Sequence, residues 1–413
     1  MTDLKKNVPE LRFPEFEGEW EEKSLGDVSK KGMYGIGATA TEFDGKNVYV
    51  RITDINDVSR KLNEKQFKSP DKIDNNYLLK YNDILFARTG ASTGKSYIHK
   101  DYDINKNYYF AGFLIKFEIN ENNQPDFIYQ ITLTKQFENW VSVMSMRSGQ
   151  PGINSQEYAQ LKFYLPNNKE QQKIGDFFSK LDHQIELEEQ KLALLEEQKK
   201  GYMQKIFSQE LRFKDDNGND YPGWEEKELG EVVGFGKGKL LGKKDLSEGG
   251  KYPCILYGEL YTKYGAIINS IQSRTNVNPN KLKKAEKNQV LIPSSGETVE
   301  DIATASVINV NEDVYIGGDL NVLTPKEDDG KFISLSLNSV NKCNVSRLAQ
   351  GKTVVHLYNN DLKKLKIKLP IQFQEQQKIG DFFSKLDRHI ELQGQKIENL
   401  KQRKQGFLQK MFI

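Results

Sequence analysis

Any chemistry this sequence does has to come from a few polar, glycine-bearing stretches, the first of which is Thr89-Gly-Ala-Ser-Thr-Gly-Lys-Ser96. A phosphate-binding P-loop needs a glycine, four residues, then Gly-Lys-Ser/Thr, so that backbone N–H groups wrap the phosphates. Here only Ala91, Ser92 and Thr93 separate Gly90 from Gly94, so the loop is one residue short. Its later counterpart, Ser294-Ser-Gly-Glu-Thr298, has no Gly-Lys at all. Nucleoside triphosphate hydrolysis is not expected. Glu225-Glu-Lys227 has the carboxylate–lysine spacing of a Mg²⁺-dependent nuclease, but it copies Glu21-Glu-Lys23 and reads better as framework. His99, His183, His356 and His389 are scattered without metal-ligand spacing. Cys254 and Cys343 have no partners and are most simply core residues. Neither a catalytic set nor a metal site is expected.

What the glycine loops can do is hold on to phosphates and bases. Each directly follows an apolar strand: Arg88–Lys95 follows Asp83–Phe86, and Ser294–Thr298 follows Gln289–Ile292. Such loops offer backbone N–H groups and short hydroxyls to phosphate oxygens, while arginine and lysine reach phosphates or base edges. The candidate contacts are Arg88, Thr89, Gly90, Ser92, Thr93 and Lys95 in the first loop, and Ser294, Ser295 and Thr298 in the second. Lys243 and Lys244 join them from a basic cluster. Taken singly, each glycine could merely form a turn and each lysine merely sit in solvent; the Arg88–Lys95 loop as a unit carries the reading. With 60 Lys+Arg against 58 Asp+Glu, the net charge of +2 rules out phosphate binding by bulk charge. A local patch is required.

The elements that must position these loops come in duplicate. The chain has 413 residues, enough for two or three domains. It is 37% hydrophobic and 29% charged, with a mean hydropathy of −0.69, yet 11% aromatic, too much for a disordered chain. Glu170-Gln-Gln-Lys-Ile-Gly-Asp-Phe-Phe-Ser-Lys-Leu-Asp182 recurs unchanged at 375–387, and the gapless match of 170–208 onto 375–413 keeps 24 of 39 positions. More weakly, Leu161–Pro166 answers Leu365–Pro370, Leu11-Arg-Phe13 answers Leu211-Arg-Phe213, and Trp20–Gly26 answers Trp224–Gly230. The protein therefore reads as one unit of roughly 200 residues used twice: a body at 1–166, a helical tail at 167–210, a second body at 211–370 and a second tail at 371–413.

The tails carry an apolar seam on a 4-3 spacing. Ile174, Phe178, Leu181, Ile185, Leu192, Leu195, Tyr202 and Ile206 form it in the first, and Ile379, Phe383, Leu386, Ile390, Ile397, Leu400, Phe407 and Met411 in the second. Glu188, Lys199, Gln393 and Lys404 interrupt it. A sustained 3.5-residue period is the coiled-coil signature, and antiparallel pairing of the two tails with a pseudo-twofold repeat is expected. His183 and His389 fall one position off the seam, as exposed residues. The bodies alternate short β-rich runs with turns and read as mixed α+β with a curled sheet. One helical stretch is expected at Pro125–Trp140, where proline suits a first turn. Apolar runs are too short to span a bilayer. The opening Met1–Lys6 has no apolar segment behind it, so no secretory signal and a cytoplasmic location are expected.

This layout resembles the specificity subunit of a type I restriction-modification system. The resemblance rests on the duplicated tail motif, the Leu-x-x-x-Leu-Pro steps and the Trp-Glu-Glu-Lys-x-Leu-Gly openings, and it spans essentially the whole chain. Asp83–Lys95 also resembles the recurrent strand-loop of that family's target recognition domains. The resemblance implies an α+β fold of two target recognition domains joined by two long antiparallel coiled-coil helices. It further implies that each domain reads half of a bipartite double-stranded DNA target, and that the tails fix the spacer and dock two methyltransferase subunits, with restriction/translocase subunits completing the complex. The chain itself would be non-catalytic and bind no cofactor, with AdoMet, ATP and Mg²⁺ in the partners. The competing reading is a coiled-coil scaffold whose bodies bind protein partners.

Overall fold

The computed structural model describes residues 7–413 except Tyr102 and Lys352, so the opening Met1–Lys6 lies outside the described residues. The chain packs as two compact units: residues up to Glu189 together with Gln395–Ile413, and Gln190–Gly394. Each combines small β-sheets with helices.

In the first unit, Glu21–Ser24 pairs antiparallel with Lys162–Leu165, bringing the start and end of the body together. Between them lies a four-stranded antiparallel sheet in the order Met33–Tyr34, Leu114–Phe117, Ile84–Ala87, Ser96–Ile98. Ile84–Ala87 is buried on both faces, as its unbroken apolar run requires. A second pairing, Asn47–Val50 parallel to Asn107–Phe110, holds the outer part of the body. The helix expected at Pro125–Trp140 is two helices, Pro125–Ile131 and Lys135–Met144. The break falls at Thr132–Thr134, because the Thr134 hydroxyl accepts the Phe137 N–H and starts a fresh helix.

The second unit repeats the closing pair: Glu225–Glu228 against Lys366–Leu369, with Glu225 opposite Leu369 as Glu21 is opposite Leu165. A single curled sheet was the expectation; the body divides its strands between two larger sheets. One is five-stranded, in the order Val233–Lys237, Leu320–Pro325, Val290–Pro293, Ser306–Ile308, Ile267–Ile268. The other is four-stranded, in the order Ser273–Thr275, Tyr252–Ile255, Val314–Ile316, Lys283–Ala285. Helix Gly330–Asn338 packs on the five-stranded sheet with Phe332, Ile333, Leu335 and Leu337 fully buried. Its buried Ser334 hydroxyl donates to the carbonyls of Ala266 and Ala305, so no polar group is stranded there. Cys254 is buried as expected, but Cys343 is exposed, because it lies on the outer side of the short helix Lys342–Leu348.

Two long helices complete the units, Asn168–Phe207 and Phe373–Met411. The seam residues Ile174, Phe178, Ile185, Ile379, Phe383, Ile397 and Leu400 are buried, and Leu181, Leu192, Leu195, Leu386 and Ile390 are half-buried. His183 and His389 are exposed. The helices run antiparallel. In the first unit Phe177 packs edge-on against Phe407, Asp182 pairs with Lys404 at 2.6 Å, and Glu188 pairs with Lys396. In the second, Tyr202 packs against Phe382 and Lys199 pairs with Asp387 at 2.5 Å. Four of these contacts are two contacts, each made twice with the roles exchanged. Asp182 and Asp387 occupy the same repeat position, as do Lys199 and Lys404, Phe177 and Phe382, and Tyr202 and Phe407. The charged residues that interrupt the seam are thus the ones that pair across it.

Each unit also ties its leader to its own long helix. Arg12 forks onto Glu170 with both bonds at 2.7 Å, and Arg212 onto Glu375 at 2.8–3.2 Å; both carboxylates are buried. A bidentate guanidinium–carboxylate pair is the geometry that can offset the burial of the charge. Among the described residues no helix is long and apolar enough to cross a membrane.

Candidate nucleic-acid interface

The loop Arg88–Lys95 leaves the buried strand Ile84–Ala87 at the point where the neighbouring strand Leu114–Phe117 begins, Ala87 lying opposite Leu114. Most of its backbone amides are spent within the protein. The Gly90 N–H donates to Pro151, Thr93 to Gly90, Gly94 to Ala87 and to the Tyr158 hydroxyl, and Lys95 to Ser92. These amides are therefore not offered to phosphates, contrary to what a glycine loop suggests. Gly90 and Gly94 have φ of 77° and 88°, the left-handed region that glycine enters without strain. A Cβ on Gly94 would meet Val141 at 2.6 Å.

The side chains sort themselves into two groups. Lys95 is turned inward: its ammonium donates to the Ile52 and Ile55 carbonyls and pairs with Asp57 at 2.5 Å, with only 8% of the residue exposed. The expectation that it reaches phosphate is corrected by those partners. Thr93 likewise spends its hydroxyl on the Gly90 carbonyl. Ser92 and Thr89 are half-exposed. Arg88 stays at the surface, its guanidinium 5.0 Å from the Tyr34 ring centre and 5.8 Å from that of Phe113. Its Nε is buried without a hydrogen-bond partner. Burial pushes the Tyr34 phenol up, but the hydrogen bond its oxygen accepts from the Ser155 N–H, together with the nearby Arg88 charge, outweighs this and holds it below its usual range.

In the second body Ser294 and Ser295 are half-exposed, and Ser295-Gly296 pairs with Val355-His356. Thr298 caps the helical turn Val299–Ile302 by accepting from Asp301 N–H, so its hydroxyl is partly committed. Lys243 and Lys244 stand exposed on the turn Lys243–Asp245. The structure thus gathers Arg88, Thr89, Gly90 and Ser92 in one surface loop and Ser294 and Ser295 in its counterpart, and removes Lys95.

Sequence reasoning missed Tyr34 and Phe113, which flank Arg88, and Gln150 beside Gly90. Gln150 reaches the same loop: its amide nitrogen lies 2.9 Å from where a Gly90 Cβ would be. The usable signal was the exposure of large aromatics, Tyr34 at 38% and Phe113 at 59%, which a sequence does not display. A cleft of about 1720 Å³ in the first unit adjoins this loop: Ala91–Lys95 line it together with Asp57–Leu62, Thr132, Leu133, Val141 and the long helices. Carboxylates outnumber lysines and arginines in its lining, so it repels a phosphate backbone. Among the described residues no cluster of His, Cys, Asp or Glu could hold a metal ion.

Residues 17–197 and 221–402 each match the family described as type I restriction modification DNA specificity domain. The MjaVIII type I restriction enzyme specificity subunit of Methanocaldococcus jannaschii is 23% identical over 435 residues, covering 98% of this chain and 93% of that protein. A putative type I specificity subunit of Mycoplasma pneumoniae is 29% identical over 197 residues, 47% of either chain. Among solved structures, the type I restriction-modification S subunit of M. genitalium shares the fold at a TM-score of 0.65 and 19% identity, covering 98% of this chain and 99% of that one. A second, from a study of complex assembly in a type I system, gives 0.51 at 19% identity over 95% and 97%. With two family domains filling most of its length, the chain belongs to the type I restriction-modification specificity subunits.

Proposed function

We propose that this chain reads a two-part double-stranded DNA target, one part with each body, and delivers two methyltransferase subunits to it, restriction/translocase subunits joining the full complex. The observation that carries the reading is the contrast between copies. The bodies hold their loops with equivalent backbone hydrogen bonds but arm them with different side chains, while the tails keep 24 of 39 positions, the first thirteen unchanged. Unlike readers suit unlike half-sites, and matched tails suit two copies of one partner. The chain acts without catalysis of its own in the cytoplasm; AdoMet, ATP and Mg²⁺ belong to the partner subunits.

Arg88 and the exposed Lys243 and Lys244 approach the nucleic acid, and Lys95 does not. A gel-shift titration across salt, with the methyltransferase partner present, tests this. Affinity should fall steeply with salt, and Lys243→Ala and Lys244→Ala should each reduce the slope of log K against log salt by about 1. Lys95→Met should leave that slope where it was. A scaffold that binds only proteins would show no salt-dependent DNA affinity, and that result would reject the reading.

A further inference from the structure

Three hydrogen bonds fix one frame in both bodies. In the first, Gly35 N–H donates to Leu114, Arg88 N–H to Phe113, and Ile153 N–H to Arg88; in the second, Gly238 donates to Leu320, Ser294 to Asp319, and Leu357 to Ser294. The strand registers agree, since Ala87 faces Leu114 as Pro293 faces Leu320, and Tyr34 faces Ile115 as Lys237 faces Asn321. Gly35 and Gly238 share a requirement too: a Cβ on either would collide with a carbonyl, of Ala111 or of Gly317. The bridge Thr89–Gly152 matches Ser295–His356. On this frame Tyr34, Arg88, Phe113 and Gln150 of the first body occupy the positions held by Lys237, Ser294, Asp319 and Val354 of the second.

The backbone is preserved at these places and the chemistry is not. Phe113, Tyr34, Gln150, Lys237, Asp319 and Val354 are all exposed, so packing does not dictate their identity. Arg88 differs from an ordinary surface arginine in being held against two aromatic rings with its Nε unpartnered. Stacking orients the planar fork and keeps it from collapsing onto a nearby carboxylate. A fixed guanidinium fork matches the O6/N7 pair of guanine in the major groove. Ser294, with one hydroxyl at the same place, cannot make that bidentate contact.

We propose that Arg88, braced by Tyr34 and Phe113, selects a G·C pair in the half-site read by the first body, and that the second body lacks this selection because Ser294 replaces it. The inference rests on the two-part reading above and names the residue that sets one of its letters. The experiment is methylation mapping of DNA modified by the full methyltransferase complex, comparing wild type, Arg88→Ala and Arg88→Lys. In wild type one half-site carries an invariant G·C pair; in both variants that position accepts other bases at a tenfold or greater gain in relative methylation, with the second half-site unchanged. Phe113→Ala, which keeps the arginine but removes half its brace, relaxes the same position less. An unaltered motif with uniformly weaker binding would make Arg88 a phosphate contact and overturn the proposal. A wild-type motif that is not in two parts would instead defeat the functional reading on which it stands.

Discussion

His99 sits among aromatic groups, its Nδ1 3.1 Å from the Tyr97 hydroxyl and its ring 4.8 Å from that of Tyr108. Burial lowers its pKa from the usual 6.5 to about 4, and the nearby Asp101 carboxylate restores only part of that. Between those two values the unfolded chain takes up a proton that the folded one refuses. Stability of the first unit therefore falls as pH drops from 6.5 through 4, by about 3 kcal/mol once the window is crossed. Buried Asp83 works the other way just above its ordinary 3.8, because burial raises its pKa and folding retains a proton there. The test is the denaturant midpoint at pH 7.5 and pH 5 for wild type and His99→Phe. The wild type should lose stability over that interval and the variant should lose distinctly less; equal losses would assign the pH dependence to other groups.

The long helices show which parts of a fold a sequence makes legible. Their seam was readable because a 3.5-residue period is local information, and the buried or half-buried state of its positions follows from it, with the exception of Tyr202, which is exposed. The pairing of Asp182 with Lys404 and of Lys199 with Asp387 was not, since a charged residue in a seam looks like a defect until its partner is known. Lys95 misled for the same reason: the carbonyls that capture it belong to Ile52 and Ile55, some forty positions earlier. The break at Thr132–Thr134 did leave a local sign, a threonine three residues before Phe137, outweighed by apolar spacing that continued across it. Asp182 and Lys404 are mostly shielded, at 35% and 14% side-chain exposure. Asp182→Lys should destabilise the first unit by about 1–2 kcal/mol, and adding Lys404→Asp should recover most of it. Chemical denaturation of the two single variants and the double checks this; a double variant no better than the sum of its parts would mean the two side chains act independently.

For the whole molecule, what matters is that the first compact unit is discontinuous in sequence, its residues up to Glu189 being joined by Gln395–Ile413, whereas the second, Gln190–Gly394, is one continuous stretch. Leu408, Met411 and Phe412 are buried in the core of the first unit beside Trp20, Phe127 and Phe178, with the Phe412 ring edge-on to Trp20 and tilted against the other two. Ile206 and Phe207 enter the core of the second, where Phe207 stacks on Phe332. Phe412→Ala should cost the first unit about 3–5 kcal/mol and leave the second nearly untouched. Limited proteolysis should then cut within residues 7–189 first; cleavage beginning in 211–370 would contradict the packing.

That arrangement also sets an order of events on the ribosome. The opening half of the chain emerges first, yet its interior stays incomplete until Leu408 and Phe412 have been translated. At about 5–20 residues per second, the nascent first body waits some tens of seconds, its aromatic pocket open, for the segment that closes it. Synthesis that stalls anywhere before the final turns therefore leaves the earlier-made half as the vulnerable one, a natural client for chaperones.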